Sequence, residues 1–106
     1  MIEVVFYKTK DEFLRGFLFS GHAGFSEKGK DIVCAGISSA VMMCCNGITE
    51  ILKEKALVNC EEGKVYFETF SKDRMVQAFL EALRLQVSLL KERYEKNIDL
   101  KIMEDK

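Results

Sequence analysis

DIVCAGISSAVMMCCNGITEILKEK, residues 31–55, is the stretch on which the fold turns. Its first half is apolar nearly all round, the pattern of a helix buried in a core rather than laid on a surface. Asp31 stands just ahead of the apolar run. Its carboxylate can accept from the free N–H groups of a first helical turn, so the sequence predicts a helix capped at Asp31 and running to about Lys55.

The segments on either side supply what such a helix packs against. Upstream, Ile2, Val4 and Phe6 alternate with Glu3, Val5 and Tyr7, which reads as a strand. After a turn at Asp11-Glu12, Phe13 to His22 reads as a second strand, with Phe17 and Phe19 on one face and Leu14, Leu18 and Ser20 on the other. Downstream, Ala56–Cys60 and Val65–Phe70 form a hairpin around Glu-Glu-Gly-Lys, where Gly63 supplies a positive φ. Ser71 is the expected cap of a second helix, whose apolar stripe is Val76, Phe79, Leu80, Leu83, Val87 and Leu90. Ile98, Leu100 and Ile102 alternate with polar residues in a closing strand. The order is ββαββαβ. The expectation is an α+β two-layer sandwich, a mostly antiparallel sheet with two helices on one face, in one domain over residues 1–106. The uncovered face, carrying Val5, Tyr7 and some phenylalanines, is a candidate dimer surface.

Composition narrows the class. Hydrophobic residues make up 48% and charged residues 31% of 106, a globular balance. A net charge of −1 gives no overall basic field for nucleic acid. No proline, repeat or low-complexity linker divides the chain. The N-terminus alternates rather than forming a signal peptide, and the apolar run Ile32–Cys45 is too short for a bilayer core of ~30 Å. A soluble cytoplasmic protein with reduced thiols is expected, with no membrane partner. Cysteines at 34, 44, 45 and 60 match no CxxC metal pattern, so neither metal nor cofactor is called for.

The chemistry-bearing pair is His22, the only histidine, and Cys34, joined by a connector containing Gly24 and Gly29. A thiol attacks carbonyls as thiolate, and an imidazolium or the positive end of a helix holds it in that state. With Asp31 as cap, Cys34 falls in the first helical turn, where free N–H groups would also bind an oxyanion. Against this stands the ordinary fate of a free cysteine, which is to be a small buried hydrophobe.

GHA at 21–23 and DIVCAGIS at 31–38 resemble the bacterial ribosomal-processing cysteine protease family, whose pattern is G-H-A at a strand end, a glycine-containing loop, and G-[DKN]-x-V-C-A-x-x-S opening a helix. Here Gly29-Lys30-Asp31 has one residue more than a plain G-D. The length and element order fit too. The resemblance implies a His–Cys protease, usually a homodimer, that removes a short apolar N-terminal extension from a large-subunit ribosomal protein, the twenty-seventh of its series. It implies His22 as general base and Cys34 as nucleophile.

Around this pair, Asp31 either caps the helix or orients His22 or the substrate. Ser38, four residues after Cys34, shares its helix face and either lines the site or bonds back to a helix carbonyl. Gly21, Gly24 and Gly29 would let the connector open and close. Cys44, Cys45, Cys60, Met42 and Met43 read as core. Two rival readings stay open: a non-catalytic ribosome-associated binding module with an inert Cys34, and a thiol switch at Cys44-Cys45.

Overall fold

A computed structural model describes residues 1–21 and 28–105, the side chains of residues 28–31 excepted. The elements follow the expected order: β1 (Ile2–Lys8), β2 (Leu14–Ser20), α1 (Lys28–Asn46) continued by a π-helical turn (Gly47–Ile51), β3 (Leu57–Glu61), β4 (Lys64–Glu68), α2 (Arg74–Arg93) and β5 (Ile98–Glu104). The sheet order is β3-β4-β2-β1-β5. All neighbours are antiparallel except β1 and β5, which run parallel. The α+β two-layer architecture read from the periodicities is therefore the one observed.

One face of the sheet builds the core. Ile2, Val4, Phe6, Phe17, Phe19, Phe67 and Ile98 pack under the two helices, with Phe17 stacked on Phe67 at 5.2 Å between ring centroids. Every one of these phenylalanines faces the helices, so the open face is not the phenylalanine surface expected. It carries Tyr7 and Tyr66, with the Arg15 guanidinium 4.7 Å above the Tyr7 ring and bonded through Nε to Asp105 at 2.6 Å. Leu14 also departs from expectation. Tyr7 pairs with Gly16 but Lys8 pairs with Leu14, so Arg15 is an extra residue that bulges out. The bulge shifts the alternation by one and turns Leu14 into the core, where it is 3% exposed.

Helix boundaries differ from the sequence reading at the three ends it gave. α1 begins at Lys28, three residues before Asp31. Its helical course ends with the π turn at Ile51 rather than at Lys55; Lys53 takes a left-handed φ of 56° and breaks the run. At the start of α2 the cap is Asp73, not Ser71: its carboxylate accepts from the N–H of Met75 and Val76. Ser71 sits a step outside and accepts from Asp73 N–H instead. The expected stripe on α2 holds, with Val76, Leu80, Leu83 and Val87 buried. Gln77 fixes this end of α2 to β2 by accepting from Leu14 N–H at 2.9 Å and donating to Leu14 O at 2.8 Å.

The helical stretch Ile32–Ile51 is long and apolar enough, by length and composition, to cross a membrane, because the π turn extends the shorter run counted in the sequence. Its inner side, from Val33 through Ile37 and Val41 to Ile48, lies in the core.

Candidate active site

α1 presents two flanks on either side of its buried stripe. Successive residues turn roughly 100°, so Val33, Ile37, Val41, Cys44 and Ile48 point at the core, as their burial shows. One flank meets α2. Cys44 Sγ lies 3.6 Å from Phe79 O, and a Cβ on Gly47 would come within 2.5 Å of the Phe79 ring. A groove of about 410 Å³ runs along the outside of this seam, between Gly36, Ala40 and Met43 on one side and Phe79, Ala82 and Gln86 on the other. The opposite flank carries Cys34, Ser38, Met42 and Cys45. Because α2 packs over β5 and β2, this second flank looks across β4 towards β3.

Cys34 is 6% exposed and belongs to the core cluster at this edge. It is the seventh residue of α1, which corrects the expected first-turn position. The free N–H groups belong to the first four residues of a helix; at Cys34 the backbone N–H is committed within the helix, so it is no oxyanion donor by that route. Asp31 and Gly29 are likewise inside the helix rather than at its cap and in the connector. The cap preference of Asp is worth only ~1 kcal/mol, too little to fix where a helix starts when Lys28, Gly29 and Lys30 can themselves be helical. Ser38 is half-buried on the same flank as Cys34, as the four-residue spacing requires. His22 and Gly24 lie outside the described residues.

The strand that leads to His22 is held at its end. Gly21 N–H donates to Gly63 O at 2.9 Å, and a Cβ on Gly21 would stand 2.9 Å from Ile2 Cα. Gly21 is thus needed for close packing between the start of β1 and the β3–β4 turn. Sequence reasoning missed this role, since the contact joins residues far apart in the chain. Gly63 adopts φ +75°, as expected of the turn. Next to this junction, Glu3, Ser20, Glu62 and Lys64 line an open groove of about 380 Å³.

The other thiols differ from one another. Cys44 and Cys45 are buried, as the sequence suggested, and burial pushes Cys44 up to about 12. Burial, and after it the neighbouring Cys60 thiol, pushes Cys45 up to about 11. Cys60 is exposed on β3, against the expectation that it is core. Among the described residues no three His, Cys, Asp or Glu side chains gather as a metal site.

The fold is that of a cysteine protease. A crystal structure of the essential ribosomal processing protease Prp from Staphylococcus aureus, in complex with a substrate peptide, superposes with a TM-score of 0.89 at 25% identity, covering 96% of this chain and 99% of that one. The ribosomal processing cysteine protease Prp of Staphylococcus aureus is 30% identical over 86 residues, 78% of this chain and 81% of the relative. That of Bacillus subtilis is 33% identical over 70 residues, 64% of this chain and 62% of the relative's length. The family described as cysteine protease Prp matches residues 1–99. The chain belongs to this family.

Proposed function

We propose that this protein is the endopeptidase that removes the short N-terminal extension of a large-subunit ribosomal protein, the twenty-seventh of its series, using His22 as base and Cys34 as nucleophile. The observation that carries the reading is a family match over residues 1–99 in a chain whose single histidine directly follows the anchored Gly21. In this reading His22 takes the proton from Cys34, the sulfur attacks the scissile carbonyl, and His22 returns the proton to the leaving amine. Water then releases the acyl group by the reverse logic. Asp31 and Ser38 serve as orienting or substrate-positioning groups. The protein acts as a cytoplasmic homodimer with no cofactor.

The test is cleavage of a synthetic peptide spanning the extension junction. Wild type should cut at one bond. Cys34→Ala and His22→Ala should each lose turnover by ~10⁴-fold or more, the scale seen when a nucleophile or its base is removed. Full cleavage by Cys34→Ala, or none by wild type, ends the proposal.

A further inference from the structure

The β2–β4 ladder does not stop at its last strand pair. Ser20 pairs with Lys64, and the next two residues in register, Gly21 and Gly63, are joined by the bond from Gly21 N–H to Gly63 O at 2.9 Å. On the other side of β2, Ser20 pairs with Glu3, so Gly21 falls opposite Ile2. Ile2 is itself fixed. It is 1% exposed, pairs with Ile98 of β5, and its N–H donates to Asn97 O at 2.8 Å. The chain thus leaves the sheet from a residue held on both sides, and the next residue is His22.

Both contacts require glycine. A Cβ on Gly21 would stand 2.9 Å from Ile2 Cα, a backbone atom that cannot swing aside. Gly63 faces two separate demands. Its φ of +75° is a left-handed conformation that a Cβ disfavours. An added Cβ would also stand 3.0 Å from Gly21 O. The first demand concerns the β3–β4 turn alone. The second bears on the peptide unit that joins Gly21 to His22, because Gly21 O is the oxygen of that unit.

We propose that Gly63 is a positioning residue for the base: by offering its carbonyl to Gly21 N–H and no side chain to Gly21 O, it fixes the peptide unit through which His22 joins the sheet. The proposal rests on the protease reading, in which His22 is the base, and adds a residue of the β3–β4 turn to its support. A peptide unit is planar, so displacing Gly21 O carries the nitrogen of the next residue with it. Proton transfer needs a base within hydrogen-bond reach, and a misplacement of ~1 Å can cost ~100-fold in rate. A Cβ at 3.0 Å obliges its neighbour to give by a few tenths of an ångström. A shift of that size slows the chemical step and leaves the rest of the sheet intact.

Variants of the full-length protein, assayed with the junction peptide, supply the test. Gly63→Ala should lower kcat at least ~5-fold with KM within ~2-fold of wild type. Gly63→Asn tolerates a positive φ but carries the same Cβ, so it should recover the melting temperature lost in Gly63→Ala while kcat stays low. Gly47→Val, which strains the α1–α2 seam instead, should lose melting temperature with kcat unchanged. A readout independent of cleavage is the ring 1H–13C signals of His22, unambiguous because the chain has one histidine. They should move in both Gly63 variants and stay in place in Gly47→Val. Recovery of kcat together with melting temperature in Gly63→Asn shows that the turn alone matters and overturns the proposal. A raised KM with unchanged kcat overturns it too, as do His22 signals that stay in place. Where Gly63→Ala does not fold, Gly63→Asn carries the comparison. If wild type cuts nothing, the protease reading fails, and the His22 signals decide by themselves whether Gly63 positions that residue.

Discussion

The two flanks of α1 are built for opposite ends. Towards α2, the helix is pressed so close that Gly47 has no room for a side chain and Cys44 touches the Phe79 backbone. Towards β3, the helix ends at an edge where Ser38 is half-buried, Met42 is 40% exposed and, among the described residues, the neighbouring strand is uncovered. Cys34 and Cys44 are both cysteines of one helix, ten residues apart in the sequence, and both read locally as apolar. One flank packs Cys44 against the Phe79 backbone; the other sets the buried Cys34 and Cys45 at the edge of the described helical layer. The lesson is that a cysteine's surroundings follow from which neighbour its helix flank is given, not from the apolar run around it.

The sharpest way to break this contrast is a pair of substitutions. Cys34→Ala should remove peptide cleavage at a stability cost of ~1 kcal/mol, since Cys34 too lies in the core cluster. Cys44→Ala should leave kcat/KM unchanged and cost ~1 kcal/mol of stability, the scale of a small buried truncation. Peptide assays and denaturant unfolding on the same samples check both. If Cys44→Ala impairs cleavage as much as Cys34→Ala, the flanks are not functionally distinct.

The glycines of the α2-facing flank sharpen the contrast further. Gly47→Val should destabilise by ~2 kcal/mol, since it forces the Phe79 ring out of a packed seam. Gly36→Ala, with nothing within 4 Å of the added Cβ, should stabilise by up to ~1 kcal/mol through helix propensity alone. Opposite signs in urea melts are the expected result.

A smaller effect comes from pH. Cys44 and Cys45 start from an ordinary value of 9.0 and are raised in the fold to about 12 and 11. Between those limits the unfolded chain has lost thiol protons that the folded one keeps. Stability is therefore complete below about pH 9 and falls as pH rises from 9 towards 11–12. Cys44→Ala should flatten that decline in melts taken across the range.

The smallest effect is at the surface. The hydrogen bond from Lys72 Nζ to Asp11, at 2.8 Å, holds the Asp11 carboxyl down at about 2 from 3.8. A depressed carboxylate contributes above its unfolded value and is lost as pH falls through its folded one. Lys72→Ala should bring the Asp11 titration back towards 3.8 by NMR, with little change in stability at neutral pH.

Element order was legible because each segment repeats its apolar residues at the period of its own structure. The stripe Val76, Leu80, Leu83, Val87 needs no partner to be recognised. Boundaries were less legible: Asp31 and Ser71 both have capping chemistry, yet both helices start where hydrogen bonding and packing allow, at Lys28 and Arg74. The phase of Leu14 was hidden by the bulge at Arg15, which depends on pairing with β1 and leaves no local mark. At the site, the motif singled out Cys34 and Ser38 on one helix face. It did not reveal that this face looks towards β3, since that depends on where α2 lies.

The sequence by itself determined which segments are helix and strand and which family the GHA and DIVCAGIS motifs resemble, because periodicity and motif spacing act over a few residues; it overstated the burial of α1, whose Ile32 and Met43 are 67% and 65% exposed. Only the tertiary structure decided which flank of α1 meets α2, that Gly21 is held between Ile2 and Gly63, and that β3 projects beyond the described helices. Those features arise from contacts between segments distant in the chain, and their energies exist only once the layers are packed.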